Sequence, residues 1–255
     1  MVKMIVMDLD GTLLTDDKTI SNYTLSVLEK CKNRGIKIVL ATARSEKSAK
    51  RCIELVKPDS MILNGGALVL TNDQKIMYKK LLSVETSDGI LHECVNNKNV
   101  RHLTAETETK YYVSYKEPAY HPDYTHGEYY DFSNPLSQET YKITAEITDR
   151  KIALDIENRF TESTLISFSG ENWHRFAHKE AGKIDALYAV ANHESIPLSE
   201  IMAFGDDYND IEMIKNCGIG IAMENGIDEI KRAAKYICGK NNEDGIGKWI
   251  EKTML

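Results

Sequence analysis

An α/β fold with a parallel sheet, interrupted by an inserted α+β domain, follows from three observations on this 255-residue chain. Short apolar runs alternate with amphipathic helical stretches at both ends of the sequence, the pattern of successive βαβ units. Carboxylates and small polar residues cluster where several of those runs stop. Between residues 84 and 182 the texture changes, for this stretch holds eight of the thirteen tyrosines but only four of the fifteen glycines.

The first run, Met-Ile-Val-Met at 4–7, is apolar throughout, as a strand buried on both faces of a parallel sheet must be. Ser21 is a fitting N-cap for a helix carrying Tyr23, Leu25, Leu28 and Cys31, and Gly35 closes it in the left-handed conformation. A second strand at 36–41 stops at Thr42-Ala43-Arg44-Ser45. Ser45 opens a helix with Ala49, Cys52, Ile53 and Val56 on one stripe, ended by Pro58. A short strand at 61–63 leads into Asn64-Gly65-Gly66. This β-α-β-α-β order predicts parallel pairing.

The middle stretch reads as a helix (84–97), two strands (101–106 and 110–116), and an irregular connection over 117–137 that carries three of the five prolines. A strand (141–147), a helix (149–160) and two more strands (164–169 and 173–178) follow. From Lys183 the first pattern resumes, with Ile184, Leu187, Tyr188 and Ala191 striping a helix. A buried strand within 199–204 then runs into Gly205-Asp206-Asp207-Tyr208-Asn209-Asp210. A helix (209–217), a strand (219–223) and a terminal helical region complete the chain. The predicted division is a discontinuous domain of 1–82 and 183–255 with an insert of 83–182.

Composition narrows the partners. A formal charge of −7 argues against a nucleic-acid surface or a basic membrane-docking face. No apolar run has membrane-spanning length, and Met1-Val2-Lys3 leads directly into the first strand, so a cytoplasmic protein without signal peptide is expected. Five scattered cysteines without a C-x-x-C pair read as reduced, buried thiols. A monomer or weak homo-oligomer fits this composition.

Asp8 and Asp10 follow the first strand at one-residue spacing, then Gly11 and Thr12. In extended chain positions i and i+2 point the same way, so both acids face one point beyond the strand's carboxyl end, where open α/β sheets bind ligands. Two such charges imply a metal, a shared proton, or a division into one charged and one neutral acid. Asp-Gly alone is also ordinary turn chemistry.

The run DLDGTLL resembles the D-x-D-G-T-[LV] signature of the haloacid dehalogenase (HAD) superfamily. Thr42 after the second strand, Lys183 at a helix start, and GDDYND at 205–210 resemble that family's remaining motifs, in order. The insert's position is similar to that of the Cof-type branch, subfamily IIB. The resemblance implies a Rossmann-like HAD core with an α+β cap that confers substrate specificity. It implies a Mg²⁺-dependent phosphatase acting on a small-molecule phosphate ester, a sugar phosphate or similar phosphomonoester.

By the same resemblance Asp8 is the nucleophile that forms an aspartyl-phosphate, and Asp10 protonates the leaving oxygen and then activates water. The Mg²⁺ ligands are the Asp8 carboxylate, the Asp10 backbone carbonyl and the Asp206 carboxylate, with Asp210 behind them. Lys183 and Thr42 meet the phosphoryl oxygens, and the N–H groups of Leu9 and Ala43 complete the cradle. Arg44 contacts substrate or braces its loop, and Asn209 belongs to the substrate-binding set. Trp173, His174, Arg175 and the insert's tyrosines are candidates for the leaving group. Taken singly, Thr42 reads equally as a strand-end cap, Lys183 as a solvated helix residue, and GDDYND as a capped helix start. Two departures stand out: Ala43 where the family often has glycine, and Ile184 after Lys183 where glycine is usual. A phosphomutase of the phosphomannomutase type and a non-catalytic phosphometabolite-binding protein are the competing readings.

Overall fold

The computed structural model describes residues 1–115, 127–168 and 172–255. The sequence expectations for residue 116, for 117–126 of the connection, for residue 169 and for the tyrosines at 120 and 124 lie outside the described residues. The chain divides into two compact units, Met1–Lys79 with Gly182–Leu255, and Lys80–Ala181.

The first unit opens with β1 (Met4–Met7), α1 (Asn22–Asn33), β2 (Lys37–Ala41), α2 (Glu46–Val56), β3 (Ser60–Leu63), β4 (Leu68–Thr71) and β5 (Ile76–Lys79). The second unit supplies α3 (Val84–Val95), β6 (Val100–Glu106), β7 (Tyr111–Val113), β8 (Glu128–Tyr129), β9 (Lys142–Ile147), α4 (Arg150–Arg159), β10 (Ser163–Ser167) and β11 (Trp173–His178). The first unit resumes with α5 (Lys183–Glu194), β12 (Ile201–Gly205), α6 (Ile211–Asn216), β13 (Ile219–Met223), α7 (Asp228–Ala233), β14 (Tyr236–Cys238) and α8 (Gly245–Met254).

Among the described residues of the first unit, eight strands form one sheet in the order β14-β13-β12-β1-β2-β3-β4-β5. Pairing is parallel from β14 to β3, while β4 and β5 turn back as an antiparallel hairpin. Met4 and Val6 of β1 share a buried cluster with Ala186, Leu187 and Val190 of α5 and with Met213 and Ile214 of α6. Ile5 and Met7 alternate to the opposite face and are equally buried. That double burial is why β1 carries no polar side chain until Asp8.

Local capping follows the sequence. The Ser21 side chain accepts from Thr24 N at the start of α1, and Ser45 accepts from Ser48 N at the start of α2. Gly35 has φ +77°, the left-handed conformation that ends α1. The five cysteines are buried free thiols. Among the described residues no helix is long and apolar enough to cross a membrane.

Among the described residues of the second unit six strands form a sheet in the order β10-β11-β9-β6-β7-β8, antiparallel except for β7 with β8. Ile143, Ala145 and Ile147 of β9 pack with Leu103, Ala105 and Phe176 against Ile90 and Leu91 of α3 and Ala153 and Ile156 of α4. The alternating residues Lys142, Thr144 and Glu146 lie on the other face. Lys80, Leu81 and Leu82 fall in this unit. Leu82 is fully buried in its core, and Leu82 N and Thr140 N each donate to the other's carbonyl, at 2.9 and 3.3 Å.

Candidate active site

The order β12-β1-β2 makes β1 the point where the chain, having run outward through β2 and β3, returns on the other side through β12. A crevice opens beyond the strand ends at such a switch point. Val6 and Met7 pair with Ala203 and Phe204 on one side and with Val39 and Leu40 on the other, so the three strands end in step. Asp8, Thr42 and Asp206 therefore stand at neighbouring strand ends.

The turn after Asp8 is tight. Leu14 N donates to the Leu9 carbonyl at 2.8 Å and Leu13 N to that of Asp8 at 3.3 Å. Gly11 has φ +78°, and a Cβ there would lie 2.2 Å from Asp206 Oδ2. Glycine is thus required twice, by backbone conformation and by the approach of the second acid. On the other loop a Cβ at Gly205 would lie 2.4 Å from Asp210 Cβ.

Lys183 occupies the first position of α5, where the helix dipole disfavours a cation. It is nonetheless buried, and its Nζ donates to Asp8 Oδ1 at 2.5 Å and to Asp210 Oδ1 at 2.6 Å. Burial opposes its charge, but Asp210 and Asp8 outweigh that cost and raise its pKa above the ordinary lysine value. Asp210 Oδ2 accepts from the N–H groups of Asp206 and Asp207 at 3.1 and 3.3 Å. Both Asp210 oxygens are thereby engaged, one orienting Lys183 and the other folding the Asp206 turn.

Asp8, Asp206 and Asp210 place carboxylate oxygens within 4.8 Å of one another. Burial pushes the Asp8 carboxyl well above the ordinary range, with Lys183 pulling it down and Asp210 and Asp206 adding to the rise. Burial and the Asp210 charge likewise push Asp206 up to about 7, against the Thr12 hydroxyl, which donates to Asp206 Oδ1 at 2.6 Å. Crowded, dehydrated carboxylates take up a proton or a cation. An all-oxygen donor set suits a hard divalent ion such as Mg²⁺. The residues present fit that ion, with Asp8 and Asp206 as carboxylate donors and Asp210 beside them.

Asp10 is set apart. Its carboxylate accepts from Arg44 Nε at 2.7 Å, from Arg44 Nη2 at 2.8 Å and from Lys18 Nζ at 2.7 Å. Burial favours its neutral form, yet these two cations hold it at about 2. Arg44 thereby ties the loop after β2 to the acid pair's loop. Thr42 is buried, and its Oγ1 accepts from Arg44 N at 3.1 Å. Ala43 is not among the described non-glycine residues with positive φ, so this turn does not need the glycine that often stands there. Gly182 precedes Lys183 with φ −84°, and its N–H donates to Asp185 Oδ2 at 3.2 Å. Leu9 turns its side chain into the core, and Asn209 sits half-buried in the single turn that precedes α6.

In the insert, Trp173 and Arg175 pair with Glu146 and Thr144, whereas His174 pairs with Ala145 on the packed face. His174 is buried and lies within 2.9 Å of Ser167 Oγ. Trp173 stacks with His102 at 6.4 Å between ring centres, and Arg175 is almost wholly buried. Tyr112 and Tyr141 are also buried, while Tyr129 is exposed.

Sequence reasoning gave no role to Thr12, Lys18, Asn225 or Asn241. Thr12 lay inside the first motif, where a hydroxyl beside two acids is a usable signal. Lys18 lies in the loop beyond the turn and carries no local pattern. Asn225 donates to the Gly11 carbonyl from 214 positions away, and no periodicity announces such a contact.

The sequence model for haloacid dehalogenase-like hydrolases matches residues 5–250. The 5-amino-6-(5-phospho-D-ribitylamino)uracil phosphatase YitU of Bacillus subtilis (strain 168) is 27% identical over 261 residues, covering 98% of this chain and 96% of its own. YcsE of the same organism, a phosphatase of the same name, is 26% identical over 257 residues, covering 100% and 96%. The solved structure of the HAD subclass IIB sugar phosphatase BT4131 shares the fold, with a TM-score of 0.86 at 24% identity and 98% of each chain covered.

Proposed function

The chain belongs to the haloacid dehalogenase-like hydrolase family, and on that premise we propose that it is a Mg²⁺-dependent phosphatase working through an aspartyl-phosphate on Asp8. The observation that carries the reading is the convergence of Asp8 and Asp210 on buried Lys183 at the sheet's switch point, with Asp206 in the same cluster of carboxylates. A phosphomonoester dianion cannot approach three carboxylates without compensating charge. Lys183 supplies one positive charge, and a Mg²⁺, which Asp8 and Asp206 would hold, would supply the remaining charge compensation.

The chain's own groups account for the steps. Lys183 holds one Asp8 oxygen and leaves the other to attack phosphorus, while the leaving oxygen departs on the opposite side. Thr42 and the N–H groups of Leu9 and Ala43 stabilise the equatorial oxygens. Asp10 assists the leaving group with a proton and, as a carboxylate, later takes one from the attacking water. Arg44 and Lys18 keep Asp10 ionised, the form suited to the second step. Proton donation in the first step requires that this two-cation grip loosen when substrate arrives.

The unit Lys80–Ala181 is the substrate-selecting cap in this account, with Trp173 and Arg175 on the sheet face not packed by α3 and α4. The names of the relatives make 5-amino-6-(5-phospho-D-ribitylamino)uracil and sugar phosphates the first compounds to try. The test is phosphate release from a panel of phosphate esters with Mg²⁺ and with excess EDTA. Undiminished turnover in EDTA would refute the metal-dependent reading, and its loss supports it.

A further inference from the structure

Two loops bring the acids together, one after β1 with Asp8 and Asp10, the other after β12 with Asp206. A third segment, after β13, grips both. Asn225 Nδ2 donates to the Gly11 carbonyl at 2.7 Å, and Ile227 N donates to the Asp206 carbonyl at 2.9 Å. Only Gly226 lies between them, and a Cβ on it would come 2.9 Å from the Asp206 carbonyl oxygen. Two residues of chain span roughly 7 Å at most, so this staple fixes the gap between the two loops closely.

The other end of the Asn225 amide is also used. Its Oδ1 accepts from Asn241 N at 3.0 Å, and Asn241 Nδ2 donates to the Leu14 carbonyl at 3.0 Å and to Asp16 Oδ1 at 3.1 Å. The β1 loop is thus held at its beginning through Gly11 and at its end through Leu14 and Asp16. Both grips come from neutral amides, which add no charge to an acidic centre that tolerates no further anion. Asn241 is buried, so its bond to the Leu14 carbonyl is shielded from competing water, whereas the Asn225 bond to Gly11 is exposed.

We propose that Asn225 and Asn241 are positioning residues that set the distance between the Asp8 loop and the Asp206 loop, and through it the affinity of the centre for its divalent ion. Neither touches the reacting atoms; they act through Gly11, Leu14 and the Asp206 backbone. The proposal rests on the metal-dependent reading above. Asn225→Ala removes both bonds of the amide, and Asn225→Asp keeps the size and the acceptor while replacing the donor to Gly11 with a carboxylate oxygen.

The experiment is calorimetric titration of MgCl₂ into wild type, Asn225→Ala, Asn225→Asp and Asn241→Ala, with thermal unfolding in EDTA alongside. Loss of groups that orient metal ligands weakens binding by about 10–100-fold, and a rise of that order in the Mg²⁺ Kd is expected for Asn225→Ala and Asn225→Asp. At saturating Mg²⁺ their kcat falls while KM for the phosphate ester stays within about twofold. Ile250→Ala, a fully buried residue of α8 that makes none of these hydrogen bonds, controls for general destabilisation; it lowers Tm and leaves the Mg²⁺ Kd unchanged. If the Asn225 variants fold and bind Mg²⁺ as tightly as wild type, or lose affinity only as far as Ile250→Ala does, the positioning role is overturned. Should one substitution prevent folding, Asn241→Ala carries the same comparison. Wild type that takes up no Mg²⁺ overturns the metal-dependent reading together with this one, so the two failures are told apart.

Discussion

Asp8 and Lys183 form a buried ion pair, 2.5 Å from Oδ1 to Nζ, across 175 positions of sequence. Lys183 also serves Asp210, so one cation orders two acids, and Asp206 is the third in the cluster. Removing one partner of a buried pair costs about 3–5 kcal/mol because the other charge is stranded. Lys183→Met should lower stability by that order at pH 8 in EDTA and reduce kcat/KM by about a thousandfold, the loss of a donor to the transferring group. Urea unfolding and steady-state kinetics check this. Unchanged stability would mean that the pair is not the organiser described here.

In the proposed metal centre the acids would make metal binding pH-dependent. Asp206 titrates near 3.8 when unfolded and at about 7 when folded, and Asp8 is raised as well. Between those values the folded state binds more protons than the unfolded one, so the contribution of Asp206 to metal-free stability is fully present below about pH 4 and is lost as pH rises through 7. A Mg²⁺ bound there would compete with those protons. The stabilisation given by Mg²⁺ should therefore grow between pH 5 and pH 8, measured as the Tm difference with and without EDTA. A Tm difference that is flat over this interval would contradict the assignment of these carboxylates to the metal.

Two glycines of equal φ separate backbone strain from crowding. Gly11 and Gly35 lie at +78° and +77°, but a Cβ at Gly35 meets nothing within 4 Å while one at Gly11 runs into Asp206. A left-handed alanine costs about 1–2 kcal/mol. Gly35→Ala should show that loss and keep Mg²⁺ affinity. Gly11→Ala should lose more stability and most of its Mg²⁺ binding, because Asp206 must move. Equal behaviour of the two variants would refute the crowding argument.

The parts of the fold that the sequence made legible are those governed by local rules. Apolar β1 before Asp8, the serine caps at 21 and 45, and Gly35 each follow from a few neighbouring residues. The hairpin of β4 and β5 went unassigned, although Leu68–Thr71 and Ile76–Lys79 flank an Asn-Asp turn, because four-residue strands carry too little periodicity. Helix ends shifted by a residue or two: the run predicted over 84–97 ends at Val95, where Asn96 N bonds back to His92. Resemblance pointed to Asp8, Asp206 and Lys183 as partners, and periodicity could not have done so. Lys18 on Asp10 and the Asn225–Asn241 staple were invisible, being contacts that only the folded chain creates.

Deleting residues 80–181 and joining Lys79 to Gly182 by a short flexible linker tests the role of the insert. The sheet of the first unit has its own buried core. Hydrolysis of p-nitrophenyl phosphate should survive in part, since an activated leaving group needs little assistance. Discrimination among natural esters should collapse, because contacts remote from phosphorus supply it. A folded deletion variant that kept the full ranking of natural substrates would show that specificity resides elsewhere.

Covalent catalysis at Asp8 is the central claim, and rapid acid quench of a single turnover with Mg²⁺, followed by peptide mass spectrometry, tests it most directly. Wild type should carry one phosphoryl group on Asp8 during turnover. Asp8→Asn should carry none and release no phosphate above background while keeping its fold. Label on another residue, or near-wild-type phosphate release by Asp8→Asn, would contradict the account.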